Sequence, residues 1–95
     1  MKGYWITVYK NINNAEKLQE YAVLAKEAVI KYSGKFLVRG GNKRVNEGDN
    51  FPRTVVVEFP DYDSAVKCYD SYEYQKAHKI LEGHVQRSHQ IIEGA

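Results

Sequence analysis

Two side chains of opposite charge on strand-like segments offer the first candidate chemistry in this sequence. Arg39 closes the run Lys35-Phe36-Leu37-Val38-Arg39, and Glu58 lies near the end of Arg53-Thr54-Val55-Val56-Val57-Glu58-Phe59. Strict alternation along each run puts both on one face of neighbouring antiparallel strands. A guanidinium in that position holds a substrate carboxylate or enolate, and a carboxylate beside it accepts a proton. The same two residues serve equally as a structural ion pair, inside the sheet or across an interface between copies. His89 is the third catalytic candidate, because an imidazole exchanges protons near neutrality. It stands on the last strand-like run, whose register the sequence leaves open. Trp5 offers a flat wall to a planar ligand or an anchor at an interface. Tyr9 on the same strand face, and Tyr69 and Tyr74 further along, offer hydroxyls at the edge of a pocket or amphipathic cover for a core. Tyr21 and Tyr32 are read as core cover.

Other polar residues point away from familiar chemistries. His78, His84 and His89 are spaced by six and five residues, and neither CxxC nor HExxH occurs, so no metal site is expected. A haem would need one of these histidines as a proximal ligand inside a cavity. Cys68 lies among apolar neighbours with no base beside it and reads as packing. The basic stretch Arg39-Gly40-Gly41-Asn42-Lys43-Arg44 lacks repetition and interleaved aromatics, and reads as a solvated turn. A net charge of +2 implies neither a nucleic-acid nor an anionic-membrane partner. The lone cysteine excludes an intrachain disulfide. No apolar run approaches the roughly 20 residues of a membrane span, and Met1-Lys2-Gly3 leads straight into a strand without a secretory signal. A cytoplasmic protein without a cofactor is the expectation.

The elements that must position these groups follow from periodicity. Tyr4 to Tyr9 is aromatic and β-branched, which suits a strand. Leu18, Tyr21, Ala22, Ala25, Ala28, Val29 and Tyr32 then recur in three- and four-residue steps, the stripe of a helix. Asn13 with Glu16 is its expected cap and Gly34 its expected left-handed stop. Lys35–Arg39 and Arg53–Phe59 are the second and third strands, joined by a polar connection from Asn42 to Pro52. Pro60 ends the third strand. Asp61 or Asp63 caps a short helix with Ala65, Val66 and Tyr69, and Ser71 opens another with Tyr74, Ala77, His78 and Leu81, closed by Gly83. His84 to Glu93 forms the last strand.

The order β-α-β-β-α-β over residues 1–95 makes one α+β domain of ferredoxin-like architecture, an antiparallel sheet with its helices on one side. Alternation gives each strand a purely apolar face: Tyr4, Ile6 and Val8 on the first, Phe36 and Val38 on the second, Val55, Val57 and Phe59 on the third. These are assigned to the helices. The opposite faces, with Trp5, Thr7 and Tyr9, Leu37 and Arg39, Val56 and Glu58, are too apolar to remain in water. A second copy covering them would form a homodimer and enclose a cavity for a small-molecule ligand.

Phe36-Leu37-Val38-Arg39-Gly40-Gly41, Val55-Val56-Val57-Glu58-Phe59-Pro60, Tyr69-Asp70-Ser71 with Glu73-Tyr74-Gln75, and Glu93-Gly94 resemble the DUF 1330 family of domains of unknown function. Tyr72 departs from that pattern, standing where a proline starts the second helical piece. The resemblance implies the dimeric α+β barrel superfamily, whose protomers pack sheet to sheet. Relatives there include cofactor-free oxygenases, muconolactone isomerases, haem-dependent enzymes and ligand-binding regulators. The resemblance therefore leaves two functions open: a cofactor-independent isomerase, lyase or oxygenase acting on a small carbonyl-bearing metabolite, and a non-catalytic binding or stress-related accessory protein.

Overall fold

The computed structural model describes residues 1–95. Its elements are β1 (Gly3–Ile12), α1 (Ala15–Lys31), β2 (Lys35–Arg39), β3 (Arg53–Phe59), α2 (Tyr62–Asp70), α3 (Tyr72–Leu81) and β4 (Val85–Glu93). The strands pair antiparallel in the order β2-β3-β1-β4. This is the expected ferredoxin-like βαββαβ arrangement. No helix is long and apolar enough to cross a membrane.

The caps lie close to their expected places. Asn14, one residue after the expected Asn13, accepts a hydrogen bond from the Lys17 amide at the start of α1. Asp61 accepts from Ser64 N, and Ser71 from Tyr74 N, each satisfying a helix amide that would otherwise lack an acceptor. The left-handed residue after α1 is Ser33, at φ 64°, and not Gly34. Gly34 is needed for space: a Cβ there would lie 2.6 Å from Val29 Cγ1 and 2.8 Å from the Phe59 ring.

The sheet faces reverse part of the expected assignment. On β1 it is Trp5, Thr7 and Tyr9 that lie buried beneath the helices, at 2–4% exposure, while Tyr4, Ile6 and Val8 turn outward. Both faces of β1 are apolar enough for either choice, so polar handles decide. Trp5 Nε1 donates to the Ala65 carbonyl of α2 at 2.9 Å, and the Tyr9 hydroxyl accepts from Arg87 at 3.0 Å. Indole and phenol groups need such partners when buried, whereas Ile6 and Val8 need none. On β2 a register shift between Phe36 and Val38 breaks the alternation. A bulge of this kind re-aims the residues that follow it. Phe36 and Arg39 consequently both face the helices, opposite Val57 and Val55.

The core is aromatic around Trp5, whose ring centroid lies 4.9 Å from Tyr74 and 5.1 Å from Phe59. Ala28, Ala65 and Ala77 are fully buried, small enough to let α1, α2 and α3 approach the sheet closely. Nothing in the chain covers the other side of the sheet. There Tyr4 pairs with Ile92, Ile6 with Val56, and Val38 with Val56, and Leu37, Val38 and Ile92 are 41–46% exposed.

Candidate functional site

The inward residues of three strands form a row at one end of the sheet. Tyr9 on β1 stands directly opposite Arg53 on β3 and Arg87 on β4. The β2 bulge adds Arg39, so Arg39, Arg53 and Arg87 line one narrow cavity of ≈ 50 Å³ between α1 and the sheet. Apolar walls from Leu18, Val29, Phe36 and Val55 complete it, and no carboxylate lines it. The cavity lies within one protomer. It is not the expected space between the sheet and a partner, because the face bearing Trp5 and Tyr9 is the one the helices cover.

Arg87 is held in an unusual way. Nη1 donates to the hydroxyls of Tyr9 (3.0 Å) and Tyr21 (3.2 Å), and Nη2 donates to the hydroxyl of Tyr74 (2.8 Å). Its guanidinium carbon also lies 5.1 Å from the Tyr21 ring centroid and 5.5 Å from that of Tyr9, within cation–π range. A guanidinium carries five N–H donors, so with these three bonds made two remain without a protein acceptor. Burial opposes its charge, yet the surrounding hydroxyls of Tyr21, Tyr74 and Tyr9 raise its pKa, and it stays cationic. Burial also raises the pKa values of Tyr9 and Tyr74, which keeps both phenols protonated. One phenolic proton joins Tyr21 to Tyr74 at 2.8 Å. Of the three O–H groups around Arg87, two are therefore left to donate elsewhere. Nearby, Arg53 Nε is buried without a partner, and Arg39 stacks over Phe36 at 4.6 Å.

A second, more polar cavity of ≈ 270 Å³ opens between the end of α3 and β4. Arg87 lines it too, together with His89, Tyr69, His78 and Glu82, so this one residue forms part of both walls. His89 faces inward opposite Thr7, with its ring 4.9 Å from both Trp5 and Tyr69. Burial, and then the charge of Arg87, hold its pKa down to about 4, so the imidazole is neutral. Its Nε2 is buried and meets no hydrogen-bond partner.

Arg39, Trp5 and Tyr9 thus meet in the first cavity, and His89 and Tyr69 in the second, with Tyr74 buried between them on Arg87. Glu58 does not join them. It lies on the outer face, where its Oε2 accepts from the Tyr4 hydroxyl at 3.2 Å, and the β2 bulge leaves Arg39 on the other side of the sheet. The expected Arg39–Glu58 pair therefore does not form. Sequence reasoning missed Arg53 and Arg87, and it read Tyr21 as core cover, which it is, without its hydroxyl contact to Arg87. The available signal was alternation on β4, which aligns Arg87 with His89 on one face. No group of three or more His, Cys, Asp or Glu side chains is placed to hold a metal ion.

The model of a family described as a domain of unknown function (DUF1330) matches residues 2–95. No curated protein matches the chain. Among solved structures, it is similar to a protein of unknown function from Rhodopseudomonas palustris, with TM-score 0.81 and 13% identity over 99% of this chain and 82% of that one. A dimeric ferredoxin-like protein of unknown function from Jannaschia sp. CCS1 gives a TM-score of 0.78 at 12% identity, over 99% of this chain and 100% of that one. SnoaB, a cofactor-independent oxygenase from Streptomyces nogalater, gives 0.69 at 10% identity over 99% and 93%. Likeness at these identities concerns the fold alone.

Proposed function

We propose that the chain, which belongs to the DUF1330 family of domains of unknown function, binds a small organic carboxylate at Arg87 and does so as a homodimer packed through the outer face of its sheet. The observation that carries the reading is an inward-facing guanidinium whose partners are all neutral hydroxyls. Withdrawing an ion from water costs several kcal/mol unless a counter-charge or a full set of hydrogen bonds offsets it. Arg39 and Arg53 add positive charge at the same cavity, and only Glu82, exposed on the rim of the second cavity, brings a negative one. A carboxylate takes the two free N–H donors of Arg87 and the unspent phenolic O–H groups, while its few remaining atoms extend along the ≈ 270 Å³ cavity that Arg87 shares with His89. The dimer follows from Ile6, Val8, Leu37, Val38, Val56 and Ile92, an apolar sheet face that no element of the chain covers. The similar Jannaschia protein is itself described as dimeric.

Calorimetric titration with acetate, propionate, 2-oxobutyrate and benzoate, each beside its uncharged amide, tests the carboxylate. We expect at least one acid to bind with a Kd of about 1 mM or tighter, near −4 kcal/mol, with affinity falling as salt rises. Amides that bind as well as acids, or no binding by any acid, would refute it. Conversion of a carbonyl-bearing metabolite is a second reading, favoured by the unpartnered nitrogen of His89.

A further inference from the structure

We infer that His89 is a catalytic base, and that it moves a proton at the carbon beside the carbonyl of a 2-oxo acid whose carboxylate is held by Arg87. The inference rests on the carboxylate reading above and adds to it a reaction and a residue.

Three observations meet at this residue. The first is Nε2 itself, a buried nitrogen with no donor or acceptor in the chain. Leaving such an atom unpaired costs about 1–3 kcal/mol, a deficit that a molecule in the adjoining cavity relieves once the ring turns to meet it. The second is placement. His89 and Arg87 are alternate inward residues of β4 and line the same ≈ 270 Å³ cavity. Alternate residues of a strand are separated by about 7 Å. In a 2-oxo acid the third carbon lies two bonds beyond the carboxyl carbon, so one molecule in van der Waals contact with both side chains spans that interval. The third is electrostatic. The groups packed around the imidazole are Trp5 and Thr7 on β1, Tyr69 on α2, Tyr74 and His78 on α3, and Arg87 on β4, with exposed Glu82 at the cavity rim. Arg87 is the permanent cation of this set, and it is one of the influences that keep His89 unprotonated. A carboxylate bound to Arg87 neutralises that influence. His89 therefore becomes a stronger base when substrate arrives, closer to the operating range that general-base catalysis requires.

The step needs no co-reactant. The C3–H bond breaks and its proton goes to His89 Nε2. The electron pair of that bond forms the C2–C3 double bond, and the carbonyl π pair moves to the C2 oxygen, which takes the negative charge. Tyr69, on the cavity wall, is placed to donate to that oxyanion, and the charge of Arg87, whose free N–H donors hold the carboxylate, stabilises it through space. Return of the proton to C3 restores the ketone, and in D2O it restores it with deuterium.

Proton NMR of 2-oxobutyrate in D2O, following loss of the C3 methylene signal, reads the reaction directly. Wild-type protein should accelerate exchange above the protein-free rate, and His89→Gln should lower the catalysed rate about 10²–10⁴-fold. Its affinity for 2-oxobutyrate should stay within about threefold, and thermal melting should confirm that it is folded. The wild-type profile is an independent check: the catalysed rate should rise with pH through a single ionisation above about 4. A profile flat from pH 4 to 8, unchanged exchange in His89→Gln, or binding without any exchange overturns this inference and leaves carboxylate binding standing. Failure of 2-oxobutyrate to bind overturns this inference, and failure of every acid tested overturns the carboxylate reading as well.

Discussion

Arg87→Met separates a ligand-holding charge from a structural one. Methionine retains most of the length and apolar bulk of arginine while removing all five donors. The variant loses three hydrogen bonds, to Tyr9, Tyr21 and Tyr74 at 2.8–3.2 Å. Bonds to a charged group contribute about 1.5–3 kcal/mol each. Against that loss stands the desolvation of a half-buried guanidinium, itself several kcal/mol, which methionine does not incur. The Tyr21–Tyr74 hydrogen bond at 2.8 Å survives without the arginine and keeps two of the freed hydroxyls satisfied. The opposing contributions are similar in size, so urea unfolding should place the variant within about 2 kcal/mol of the wild type. Binding should behave differently. Two charge-assisted bonds to a carboxylate represent about 3–6 kcal/mol, a loss of affinity of about 10²–10⁴-fold by calorimetry. A variant destabilised by more than about 4 kcal/mol that still bound carboxylates normally would refute the reasoning, since Arg87 would then be a structural strut.

Three further outcomes follow from the same geometry. Ile6→Glu places a charge in the middle of the uncovered sheet face, opposite Val56, and light scattering should show a monomer with unchanged circular dichroism; a dimer that persisted would exclude this face as the interface. His89 titrates near 6.5 when unfolded and near 4 in the native state, so between those values the unfolded chain binds the proton and the native chain does not. Its contribution is fully present above about 6.5 and is lost as pH falls toward 4, by roughly 3 kcal/mol at most; unfolding curves of His89→Gln should lack that part of the slope. Cys68 is fully buried, and burial pushes its thiol up to about 12, so Ellman's reagent should find no reactive thiol until the protein is unfolded.

Element order, the helix stripe on α1 and the paired short helices were legible in the sequence because each follows from local periodicity and capping chemistry. Strand facing was not. Alternation divides β1 into Tyr4, Ile6 and Val8 against Trp5, Thr7 and Tyr9, but it says nothing about which set the helices cover when both are apolar. That choice rests on the Ala65 carbonyl and on Arg87, each more than 50 residues away in the chain. Parity failed again at Arg39, since one bulge on a five-residue strand carries no sequence signature. Both failures moved the site from the interface between copies to the interior of one protomer, and they separated Glu58 from the residues it was expected to serve.

The two apolar faces are also what makes an internal charge sustainable. A chain of 95 residues has little core to spare, and a half-buried guanidinium weakens that core unless it is useful. The proposed packing of the outer face against a second copy would supply apolar burial that the helix side, crowded with hydroxyls and guanidiniums, gives up. If the proposed dimer and carboxylate binding both hold, each adds to the stability of the same native chain, although the two sites do not touch. Ile6→Glu, by removing the partner, should lower the melting temperature by more than loss of one side chain accounts for, and added carboxylate should restore part of it by RT ln(1 + [L]/Kd), about 2.7 kcal/mol at a hundredfold excess over Kd.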